Sequence, residues 1–126
     1  MKTTIIPGVF IILLTAIFPP GDMLTGKWAT KPSEKGNVTS VVFKEDGSFE
    51  GFINRKPFTS GKYVLRDSIV SFTDNGCAGM TGIYRVAIFQ RRDSMRWIPV
   101  VDSCVERREG ISRLVLGRVK QNNGLR

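Results

Sequence analysis

Histidine is absent from the 126-residue chain, and cysteine occurs twice, at Cys77 and Cys104. The absence removes the commonest general base and the commonest zinc ligand, so a Ser-His-Asp triad and a His-based metal centre are both excluded. Carboxylates remain. Asp102 and Glu106 stand four residues apart and would share a helix face, but Arg107 and Arg108 follow directly. That pattern reads as a helix cap and a salt-bridged surface rather than an acid-base pair. The Gly-rich stretch from Gly76 to Gly82 lacks the Lys-Ser/Thr that completes a phosphate-binding loop. No catalytic residue, metal site or cofactor is therefore expected.

The cysteines are too far apart for a C-x-x-C redox or metal motif, and an even count in an exported chain is normally a disulfide. Export is the expectation from the N-terminus. Met1 and Lys2 precede an apolar run over residues 5–18, interrupted by Pro7, Gly8 and Thr15 and followed by Pro19-Pro20-Gly21. A bilayer core requires about 20 apolar residues, so the run is too short to span, whereas a positive start and a shorter apolar stretch suit a secretory signal over residues 1–21. With no cysteine after the run, a lipid anchor is not expected. The full chain carries a formal net charge of +8, and without residues 1–21, whose removal loses only Lys2, the remainder is still strongly basic at 18 minus 11, or +7, which favours anionic partners. The charge is dispersed, with Arg91-Arg92 and Arg107-Arg108 the adjacent arginine pairs, as solvated strand faces would have it. Export also separates the protein from nucleic acid, which is not expected as a partner.

The elements that must position these residues are short. After Gly21 the chain reads as β-type runs separated by turn signals about every ten residues, and no long amphipathic helix competes. Strands are expected over residues 24–30, 38–44, 48–53, 61–65, 68–73, 81–90, 94–101 and 111–120. Asp46-Gly47 and Arg66-Asp67 supply tight hairpins, and residues 54–60, with Pro57, are expected to form a polar turn. Residues 102–110 are expected to hold a short helix, capped by Asp102 or Ser103 with Glu106 completing a capping box, and ended by Gly110. The expected fold is all-β: about eight antiparallel strands in up-and-down order, closed into a barrel that leaves no free edge, over residues 22–120, with a frayed polar tail at 121–126.

Two segments resemble the calycin superfamily, in particular small exported lipocalin-like domains of bacteria. Leu24-Thr25-Gly26-Lys27-Trp28 is similar to the Gly-x-Trp of the first lipocalin strand. The resemblance implies that Gly26 and Trp28 close the barrel base with an arginine of the last strand, here Arg118 or Arg113. The series from Asp74 to Cys77, Gly82-x-Tyr84 and Asp102-x-Cys104-x-x-Arg107 is similar to the paired-cysteine pattern of exported lipocalin-like proteins. The implied function is non-enzymatic binding. Phe49, Tyr63, Phe72, Tyr84 and Trp97 are the candidate ligand contacts, for a small apolar or amphipathic molecule whose anionic head would suit a basic rim. The other reading is a filled barrel whose outer surface meets an envelope or extracellular protein.

Overall fold

A computed structural model describes residues 23–120; the expected signal segment and polar tail lie outside them. Eight strands follow in order: β1 (Gly26–Ala29), β2 (Thr39–Phe43), β3 (Ser48–Ile53), β4 (Lys56–Arg66), β5 (Ile69–Asp74), β6 (Gly82–Phe89), β7 (Ser94–Val101) and β8 (Leu116–Arg118). Each pairs antiparallel with its neighbour, and β1 pairs with β8 through Trp28↔Arg118 and Ala29↔Gly117, closing the barrel. A 3-10 turn (Cys77–Gly79) precedes β6, and helix α1 (Val105–Ser112) separates β7 from β8. The expected up-and-down barrel with a short helix before its last strand is the fold observed.

Side chains alternate across the wall as the pleat requires, and one face supplies the core. Phe43 and Phe49, Tyr63 and Val70, Phe72 and Tyr84, Val86 and Met95 are all buried. The blurred pattern of the longest strand resolves here: Tyr84 and Val86 turn inward, Ile83, Ala87 and Ile88 are half-buried, and Arg85 is exposed.

Three boundaries differ from expectation, each for a local reason. Residues 54–60 are not one polar turn. Asn54 and Arg55 alone make the turn, at φ of 53° and 73°, and β4 begins at Lys56. Asn tolerates that left-handed region. Pro57 is accommodated where the β3–β4 register shifts between Gly51 and Phe52. The second difference is α1, which passes Gly110 and ends at Ser112, so the last strand shrinks to Leu116–Arg118. Burial overrides the helix-ending tendency of Gly110, because Ile111 and Leu114 pack against the core. The third is the cap. Cys104 stands at the helix start, and Asp102 accepts a hydrogen bond from its backbone N–H at 3.0 Å.

β8 is short enough to shape the interior. It meets β7 only at Ser94↔Gly117 and Met95↔Leu116, so the run of β7 from Arg96 onward has no β8 partner, and α1 packs against β7.

Candidate functional site

The base of the barrel is built from β1 and β8. Trp28 is fully buried, and its indole Nε1 donates to the Leu24 carbonyl at 2.9 Å. The Arg118 guanidinium stacks 4.3 Å from the Trp28 ring and donates to the carbonyls of Thr25 and Met23 at 3.0 and 2.8 Å. Of the two arginines named for this place, Arg118 is the one that reaches it. Gly26 is required twice over. Its φ of +124° suits glycine, and a Cβ there would stand 3.0 Å from Arg118 Nη1.

Away from this base lies a cavity of about 500 Å³. Its walls are the aromatic rings of Phe43, Phe49, Phe72 and Trp97, with Val41 from β2 and Leu116 from β8. The 3-10 turn, α1 and the residues flanking the helix complete the lining through Cys77, Cys104, Arg107, Ile111 and Leu114. The rings stack on one another in tilted and edge-on pairs: Phe43–Trp97 at 5.9 Å, Phe49–Phe72 and Phe72–Trp97 at 5.7 Å. Such offsets are the favoured geometry of aromatic pairs and make the wall stiff. Among the described residues, Trp97 Nε1 is a buried side-chain polar atom with no hydrogen-bond partner. It is surrounded by the rings of Phe43, Phe72 and Tyr84.

Of the five aromatic candidates, Phe49, Phe72 and Trp97 line the cavity. Tyr63 and Tyr84 are buried behind it. Tyr63 packs edge-on against Phe43 and donates its hydroxyl to the Lys44 carbonyl at 3.1 Å. Tyr84 donates to Asp102 Oδ2. Sequence reasoning missed Phe43, Val41, the helix residue Ile111 and Leu114 just after the helix. Phe43 carried a usable signal, since it precedes the Asp46-Gly47 turn and pairs across it with Phe49.

The largest correction concerns Asp102. Instead of capping an exposed helix, its side chain is fully buried and organises a polar cluster beside the cavity. Arg107, itself only 7% exposed, grips Asp102 in a fork: Nε to Oδ2 at 2.9 Å and Nη2 to Oδ1 at 2.8 Å. Nη1 donates to Asp74 Oδ1 at 3.2 Å and Nη2 to the Met80 carbonyl at 3.0 Å. The guanidinium also lies 4.8 Å from the centre of the Phe72 ring. Gly82 permits this crowding, because a Cβ there would stand 3.0 Å from Asp102 Oδ2 and 3.1 Å from Arg107 Nη2.

Burial alone would raise the Asp102 carboxyl. Hydrogen bonds from Arg107, Tyr84 and the Cys104 N–H, with the Arg107 charge, outweigh burial and hold it at about 2. Burial, followed by the Asp102 contact, pushes the Tyr84 hydroxyl well above its ordinary value. The hydrogen bonds with Asp102 keep Arg107 firmly charged. All three groups therefore hold one protonation state across the physiological range. A buried, fully paired cluster of this kind fixes geometry; it does not exchange protons near neutrality.

The disulfide stands next to this cluster. Cys77 and Cys104 are bonded with their Cα atoms 5.8 Å apart, joining the 3-10 turn to the N-cap residue of the helix. Cys77 and Ala78 take positive φ, 54° and 51°, in the tight turn that brings the sulfur to α1. Bridge and Arg107 network tie the same two segments, residues 74–80 and 102–107, so the wall formed by α1 is pinned covalently and electrostatically.

Neither a protein-family model nor a curated protein matches the chain. Two solved structures are similar in fold. A protein from Bacteroides uniformis, determined by NMR, aligns with a TM-score of 0.52 at 20% identity, covering 79% of this chain and 91% of its own. The lipoprotein YedD of Klebsiella pneumoniae, a crystal structure, aligns with a TM-score of 0.48 at 19% identity, covering 85% of this chain and 79% of its own. The likeness to the Bacteroides protein is one of fold, shared at an identity too low to carry function.

Proposed function

We propose that the chain is a non-enzymatic, lipocalin-like binding protein of an oxidising extracytoplasmic compartment, holding a small apolar or amphipathic molecule inside its barrel. The observation that carries the reading is the cavity of about 500 Å³ with aromatic walls. Its size and lining are typical of sites for small molecules, which are concave, largely apolar and marked by a few fixed polar groups. The stiff ring wall and the pinned helix mean that little order has to be created on binding. The disulfide supports the compartment, since such bonds persist where the surroundings are oxidising.

The test uses a neutral apolar fluorophore, N-phenylnaphthylamine. Saturable enhancement of its emission is expected with the native chain. Val41→Trp, which fills the cavity from β2, should abolish the enhancement while leaving the β-sheet circular dichroism unchanged. A native chain that gives only a linear, unsaturable signal contradicts the proposal.

A further inference from the structure

We infer that the cavity discriminates by charge and takes cationic amphiphiles, apolar molecules bearing an ammonium group, in preference to anionic ones. The inference rests on the binding role proposed above and narrows the ligand class. The chain as a whole is strongly basic, at +8. Its cavity is not. The charged residues in the lining are Asp74, Glu106 and Arg107. Arg107 is the single cation of the lining among the described residues, and it is already committed to two carboxylates, the buried Asp102 and Asp74. Four of its five N–H donors are used within the protein. The Asp74–Asp102–Arg107 group thus carries an excess negative charge. Glu106 adds a second, being exposed at the lining with no ion-pair partner among the described residues.

An anionic head group entering here would meet the unpaired Glu106, a cluster with one carboxylate more than its cation, and an arginine with almost nothing left to donate. An ammonium group meets the opposite. Glu106 and the excess charge attract it, and the aromatic rings of the lining are of the kind that accept a cation over the negative face of the ring quadrupole. One cation already occupies such a position: the Arg107 guanidinium lies over Phe72 at 4.8 Å. The apolar tail would then lie against Val41, Leu114 and Leu116.

The sign of the preference separates cavity binding from surface adsorption, because a protein of net charge +8 adsorbs anions. The experiment is displacement of N-phenylnaphthylamine by decyltrimethylammonium, decanoate and decanol, each below its micelle-forming range and at low ionic strength. Decyltrimethylammonium should compete at least about tenfold more strongly than decanoate. Glu106→Gln, at the exposed mouth, should narrow that ratio by about threefold or more. A fluorophore that binds while decanoate or decanol competes as well as the ammonium compound overturns the inference and leaves the binding role standing. A fluorophore that fails to bind overturns both. Should Glu106→Gln not fold, the native ranking alone decides.

Discussion

Asp102 ties the polar cluster together, and its partners set what its loss would do. Asp102→Asn keeps the shape but leaves the buried Arg107 facing Asp74 alone. Breaking one side of a buried pair in this way costs about 3 kcal/mol or more, measurable by urea unfolding. Tyr84→Phe removes one hydrogen bond to the same carboxylate and should cost about 1 to 2 kcal/mol. The pH dependence follows from the directions of the shifts. Asp102 is depressed to about 2 from an ordinary 3.8, so its contribution is complete above that ordinary value and is lost as pH falls toward about 2. Tyr84 is raised from 10.0, so its contribution is complete below that value and disappears as pH climbs past it. The stability profile should therefore be flat between these limits, and Asp102→Asn should remove the acid limb due to this group. The sequence showed Asp102, Arg107 and their spacing but not their burial. Arg107 reaches Asp74, 33 positions earlier in the chain, a contact created by barrel closure and invisible to local pattern.

The elements were legible to different degrees. Hairpins announced themselves through turn chemistry, as with Asp46, whose carboxylate accepts from Ser48 N at 2.9 Å and thereby sets the start of β3. The helix was legible in place and illegible in extent, because Gly110 punctuates the sequence while Ile111 and Leu114 are drawn inward by tertiary packing. That inward pull also explains why the last strand is short and why α1 joins Leu116 of β8 in walling the cavity beside β7. The disulfide belongs to this scale. It joins residues 27 positions apart and holds the start of α1 against the 3-10 turn. Reduction, or Cys104→Ala, should remove about 3 kcal/mol and lower the melting temperature by roughly 10 °C or more, with the β spectrum retained below the transition. Fluorophore affinity should fall with it, since α1 supplies one wall. Equal melting temperatures with and without reductant would show that the bridge contributes nothing to the fold.

At the scale of the whole molecule, closure of the sheet positions two unlike regions in one interior. The base is solid: Trp28 and Leu24 are fully buried, and Arg118 seals them by stacking and by two hydrogen bonds to the chain before β1. Arg118→Ala should therefore destabilise through lost packing as well as lost hydrogen bonds, by about 2 kcal/mol, without altering fluorophore binding. The remaining interior is partly hollow: Phe43, Phe49, Phe72 and Trp97 pack ring against ring, and a cavity of about 500 Å³ opens between them and the residues of the 3-10 turn and α1. The closed barrel could be anticipated from strand number and turn spacing. Its hollowness could not, since small barrels commonly fill their interiors with side chains, and the space left beside these packed rings depends on strand register and on where α1 lies. The two tryptophans make the distinction measurable, one in the sealed base and one on the cavity wall. Heavy-atom quenching of tryptophan by bound 1-bromodecane, which acts only near contact, followed in the native chain, Trp28→Phe and Trp97→Phe, tests the cavity directly. Saturable quenching that persists in Trp28→Phe and largely disappears in Trp97→Phe is the predicted result. Quenching that is absent, or that follows Trp28 rather than Trp97, would contradict a binding site inside this barrel.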